Sequence, residues 1–100
     1  MTEQSSRVHL TEEQIKEITD MAELFFPPED IAINVGIDIE EFKIAVLSKQ
    51  GEIFRAFKTG WLKGEIPLRK GIAQAAANGS NPAQVKLLDL KKESESLFDL

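Results

Sequence analysis

An all-α fold is predicted for this 100-residue chain by three observations. Apolar residues recur at steps of three and four, capping residues stand where those runs begin, and glycine or proline stands where they stop. With 42% hydrophobic residues, the chain can fold as one small domain on a single core without covalent staples. Residues 1–9 show no period and are expected to form a flexible N-terminal arm. The first helix is predicted over 11–25. Thr11 stands three residues before Gln14, the spacing of a capping box, and Leu10 just outside can staple onto Ile15. Ile15, Ile18, Met21, Ala22 and Phe25 then form one apolar stripe, and Pro27 and Pro28 end it. Glu12 and Glu13 in the first turn offset the helix dipole, which explains them more simply than an acid/base pair does.

The second helix is predicted over 28–35, with proline and acidic residues in its first turn and Gly36 at its stop. Asp38 can cap a third helix over 39–49, with Glu41 closing a box, while Ile39, Phe42, Ala45 and Val46 face inward. Ala32 is small where the two helices cross, and Gly36 suits a tight turn of positive φ. In these positions residues 28–47 resemble a helix-turn-helix of the kind found in phage and bacterial DNA-binding proteins, which sets a domain over 10–50. The departure is its acidic entrance. Of the side chains that the match would place at a duplex, Asp38, Ile39, Glu40, Lys43 and Ile44, only Lys43 is basic. Glu40 can accept from cytosine N4, but the segment has no Arg, Asn or Gln for strong base readout. Weak or nonspecific DNA contact is expected rather than tight operator recognition.

A fourth helix is predicted over 51–77. Ile53, Phe54, Phe57, Trp61 and Leu62 form its stripe, Gly60 and Gly64 interrupt it, and Pro67 kinks or restarts it ahead of Leu68, Ile72, Ala75 and Ala76. In NGSNPAQ, Gly79 is read as a helix end and Asn81 as the cap of a last helix over 81–96, with Pro82 at its first position. The predicted fold is thus a helix-turn-helix three-helix core followed by a C-terminal helical hairpin. The expected core comprises Ile18, Ile31, Val35, Phe42, Val46, Phe54, Phe57 and Trp61. Trp61 can stack on a base or anchor that core, the second being the simpler role. Leu87, Leu88 and Leu90 cannot all face one small core, because neighbours on a helix lie about 100° apart. Residues 51–97 are therefore read as an oligomerisation or interaction region, with these leucines as its contacts and 98–100 as a tail.

Charge is divided along the chain. Residues 1–42 carry 2 basic and 11 acidic side chains (net −9), residues 43–92 carry 10 basic and 3 acidic (net +7), and the last eight add −3. Such asymmetry points to an electropositive surface in the second half. Its candidates for DNA contact are Lys43, Ile44, Lys49, Arg55, Lys58, Lys63, Arg69 and Lys70. The cations among them suit phosphates, which position a protein without reading sequence. Cysteine is absent, the one histidine, His9, lies in the polar arm, and no glycine-rich phosphate loop occurs. A non-enzymatic protein without cofactor or metal is expected. With no apolar run near the roughly 20 residues of a membrane span, and no signal-peptide core in MTEQSSRVHL, a soluble cytoplasmic protein without membrane partners is expected as well.

An acidic helix, a helix-turn-helix, an aromatic helix and then LR..I..AA.NGS.PAQ..LL give residues 10–92 a pattern that resembles the small terminase subunits of tailed phages and related prophage DNA-packaging proteins. The resemblance implies an adaptor. Such a protein binds double-stranded viral DNA, self-assembles through helices that follow the DNA-binding domain, and recruits the large terminase subunit, in the host cytoplasm where the gene is viral. The alternative is a helix-turn-helix transcriptional regulator or a protein-interaction module whose third helix meets a partner instead of DNA.

Overall fold

The structure, a computed structural model, describes residues 9–98. The expected arm therefore lies outside the described residues apart from His9, and so does the tail beyond Phe98. Among the described residues there are five helices and no strand: α1 Glu12–Glu23, α2 Pro28–Val35, α3 Ile39–Ser48, α4 Gly51–Ala77 and α5 Asn81–Phe98. They fall in two compact units that meet between Gly64 and Glu65, so α4 contributes to both. The chain is all-α.

In the first unit the helix ends follow their caps. Thr11 Oγ1 accepts from the Gln14 N–H at 3.0 Å, and the Thr11 N–H donates to Gln14 Oε1 at 3.0 Å. Gln14 does more than close this box: its Nε2 donates to the Val35 carbonyl at 3.1 Å, tying the start of α1 to the end of α2. Gln14→Ala should therefore destabilise the fold more than Thr11→Ala, for which about 1 kcal/mol is expected. Urea unfolding of the two variants checks the order, and equal losses would leave the bond to Val35 without energetic weight.

The first helix stops earlier than the prolines alone suggest. Leu24 caps α1, and Phe25, expected on its apolar stripe, instead lies outside it at φ 66°. The Phe25 and Phe26 N–H groups donate back to the Ala22 and Met21 carbonyls, a closure that glycine usually makes. What holds a phenylalanine there is α4. The Phe25 ring meets Trp61 edge-on with centroids 5.6 Å apart, and its Cζ would stand only 3.1 Å from a Cβ on Gly64.

Between α2 and α3, Gly36 adopts φ 77°, and the Ile37 N–H donates to the Ala32 carbonyl at 2.9 Å. Ile31, Ala32, Val35, Ile37 and Phe42 are buried around this turn, joined by Ile18 and Ala22 from α1 and by Ile53 and Ala56 from α4. No polar or charged side chain is buried among the described residues. Of the expected core, Ile18, Ile31, Val35 and Phe42 are buried in it, while Val46, Phe57 and Trp61 pack against its edge. Phe54 does not belong to it; the helix phase puts Ile53 and Ala56 there instead.

Helix α1 lies against α4 in parallel. The Leu10 N–H donates to Glu52 Oε1 at 3.2 Å, and a Cβ added at Gly60 would run into the Thr19 backbone, one at Gly64 into that of Glu23. Ala56, Gly60 and Gly64, spaced by four, form the strip of small residues along which the two backbones meet. The glycines that look like interruptions in the sequence are contact positions.

Helix α4 runs unbroken through Gly64 and Pro67, so the expected restart does not occur. The proline withdraws one N–H from the ladder, while the rest of the helix stays bonded. In the second unit, Gly79 at φ 98° ends α4, with the Ser80 N–H returning to the Ala75 carbonyl at 3.0 Å. The cap of α5 is Ser80 rather than Asn81, because its hydroxyl accepts the Ala83 N–H at 3.3 Å. Asn81 is thus the first helical residue and Pro82 the second, where an N–H is still not needed. Gln84 Nε2 donates to the Ala76 carbonyl and closes the α4–α5 hairpin.

Candidate functional site

Two surfaces remain after the core is assembled, and each is described within its own unit. In the first unit, the outer face of α3 presents Glu40, Lys43, Ile44 and Leu47, a stripe in which Ile44 is 63% and Leu47 80% exposed. Asp38 is spent on the cap, where its Oδ2 accepts the Glu41 N–H at 3.0 Å; the return bond expected from the Glu41 side chain is not formed. The α3 carboxylates thus stand free at the helix entrance, and Lys43 is the one cation beside them.

Past α3, Lys49 sits in the left-handed region at φ 59° in the turn to α4. On α4, Arg55 and Lys58 are exposed and three residues apart, hence on one face, with Lys63 exposed one turn and a half further on. The Lys58 ammonium lies 5.3 Å from the centroid of Trp61. With Phe25 at its edge, this ring is already engaged and serves as an anchor of the core, not as an open platform for a base. Lys43, Lys49, Arg55, Lys58 and Lys63 have no carboxylate within ion-pair distance among the described residues. Lys16 differs: the hydrogen bond and charge of Asp20 raise its ammonium above the ordinary 10.5. A raised folded-state value stabilises below the unfolded value and is lost as pH climbs through the folded one, so the small contribution of this exposed pair is present at neutral pH and disappears only at strongly alkaline pH.

No family model matches the chain, and no curated protein or solved structure matches it either.

In the second unit, Arg69 is not free. Its Nε donates to Glu65 Oε2 at 2.7 Å, and Glu65 is only 15% exposed. Lys70 is exposed. Among the described residues the hairpin buries one hydrophobic side chain, Ala76, and leaves Ile66, Leu68, Val85, Leu88 and Leu97 at least half exposed. Leu87, Leu88 and Leu90, singled out in the sequence, line one open groove of about 640 Å³ together with Ala76 and Gln84, and its charged walls are Arg69 and Lys91. Among the described residues no cluster of His, Cys, Asp or Glu is placed to hold a metal, and no helix is long and apolar enough to cross a membrane. What the two surfaces offer chemically is phosphate contact by unpaired cations and burial of apolar area by association.

Proposed function

We propose that the chain is a non-enzymatic DNA-binding adaptor that self-associates, a small-terminase-like protein that would hand double-stranded DNA to a large terminase subunit. In this reading α2, the Gly36 turn and α3 act as a helix-turn-helix. The observation that carries it is the group of exposed cations without carboxylate partners at Lys43, Lys49, Arg55, Lys58 and Lys63. A carboxylate-rich chain of net charge −5 has ample anions to neutralise them, yet leaves them to solvent, where they suit phosphates. Arg69, held by Glu65, is the weakest of the predicted DNA contacts.

Reversing Arg55 and Lys58 to Glu is expected to weaken duplex binding equally for all sequences and to flatten the plot of log affinity against log salt by about 2, near 0.9 per lost phosphate contact. Fluorescence anisotropy with labelled duplexes at several salt concentrations measures both. Binding that is absent or indifferent to salt in the parent chain would sink the DNA reading. The second reading, a protein-interaction module, would then take its place, favoured by the exposed Ile44 and Leu47 on α3.

A further inference from the structure

The turn that joins α4 to α5 holds a reactive pair, Asn78 followed by Gly79, that neither surface uses. We infer that Asn78 is a site of spontaneous covalent modification, losing its side-chain amide by deamidation in the folded chain, while Asn34 and Asn81 are spared.

The nitrogen of the next residue decides the fate of each asparagine. That backbone nitrogen gives its proton to hydroxide and attacks the asparagine Cγ; Nδ2 then leaves as ammonia, taking a proton from water, and a succinimide ring is closed. Water opens the ring at Cγ to give an aspartyl residue, or at the main-chain carbonyl carbon to give an isoaspartyl link that runs through the side chain. One water enters, one ammonia leaves, and nothing is oxidised.

The chain has three asparagines. Asn81 precedes Pro82, whose nitrogen has no proton to give and cannot close the neutral ring. Asn34 precedes Val35 inside α2, where a branched side chain crowds the nitrogen and Asn34 Nδ2 is engaged by Met21 Sδ at 3.4 Å. Asn78 and Gly79 are both exposed, and a Cβ built on Gly79 would find nothing within 4 Å. The ring and the attacking water have room there.

The turn resists only weakly. The Gly79 N–H donates to the Ala76 carbonyl at 3.1 Å and the Ser80 N–H to the Ala75 carbonyl at 3.0 Å, so attack requires these bonds to open. They lie at an exposed helix end, in a unit that buries only Ala76 among the described residues, and such local opening costs far less than global unfolding. Around Asn34, by contrast, Ile31, Ala32 and Val35 are buried and hold α2 closed.

The product alters the hairpin. A carboxylate at position 78 stands at the C-terminal end of α4, where the helix dipole is already negative. The isoaspartyl link adds a carbon to the main chain between the Ala75 and Ala76 carbonyls and the N–H groups that they accept. Those bonds lose register, and Ser80, the cap of α5, shifts with them.

The test incubates the full chain in warm, mildly alkaline buffer, folded and in parallel unfolded by guanidinium chloride, and maps its peptides by mass spectrometry. In the folded chain the amide-to-acid mass gain should appear at Asn78 as two products that chromatography separates, while Asn34 and Asn81 remain amides. Ion exchange should show a species with one more negative charge, and Asn78→Gln should abolish it. In the isolated isoaspartyl chain the Ser80 N–H should exchange with solvent deuterium faster than in the parent. A folded chain that keeps the Asn78 amide while the unfolded chain loses it would overturn the inference, since the turn would then be protective. Loss at Asn34 at the same pace would overturn the selectivity, and unchanged exchange at Ser80 the effect on the hairpin.

Discussion

Gly60→Ala is expected to destabilise the first unit by about 2 kcal/mol, although alanine is the better helix former by about 1 kcal/mol. The added Cβ has no room, since it meets the Thr19 backbone, which no rotamer change can move aside. Overpacking that forces off-rotamer side chains and backbone shifts costs roughly 1–3 kcal/mol, occasionally more. Gly71→Ala is the control. A Cβ there has nothing within 4 Å, so the same exchange in the same helix should stabilise by about 0.5–1 kcal/mol. Trp61, the single tryptophan, reports the first unit by fluorescence during urea unfolding, and far-ultraviolet circular dichroism follows the helices of both units. If both substitutions stabilised, the close crossing of α1 and α4 would be refuted.

Phe42→Ala should have the largest effect of any side-chain truncation, about 3–5 kcal/mol. Phe42 is fully buried, the largest side chain to be so among the described residues, and its ring meets that of Phe57 edge-on with centroids 6.2 Å apart. For a total stability of roughly 5–15 kcal/mol, such a loss removes about a fifth or more and should lower the melting temperature by at least about 12 °C. Leu47→Ala, five residues along the same helix, should stay within about 0.5 kcal/mol in the monomer because Leu47 is 80% exposed. Thermal melts of the two variants at low protein concentration compare them, and similar losses would mean that α3 presents a different face to the core.

Local chemistry made much of the fold readable. Thr11 with Gln14, Gly36, Asp38 and Gly79 each state a backbone requirement within a few residues, and the helices begin or end beside them. Long-range causes were not readable. Phe25 occupies a position that usually calls for glycine because Trp61 and Gly64, far along the chain, hold it there. Gly60 and Gly64 look like defects until Thr19 and Glu23 are placed against them. Among the candidate site residues, the cations could be listed from sequence, but the exposure of Arg55 and Lys58 follows from helix phase, and the engagement of Arg69 by Glu65 follows from a rotamer. Leu87, Leu88 and Leu90 were recognisable as surplus. That they line one groove with Ala76 and Arg69 required the turn of the hairpin.

The parallel course of α1 and α4 sets the order in which the chain can fold. Parallel helices cannot be joined by a short turn, so α2 and α3 serve as the crossover, and the Leu10–Glu52 and Thr19–Ala56 contacts link residues 42 and 37 positions apart. At synthesis rates of 5–20 residues per second, α1 waits roughly 2–8 s for the helix it must lie against. During that interval Ile18 and Ala22 have only α2 and α3 to cover them. Helix α1 is made before the helix it must lie against and is among the last to be locked, which makes the nascent chain most open to aggregation or chaperone capture just before Gly60 and Gly64 arrive.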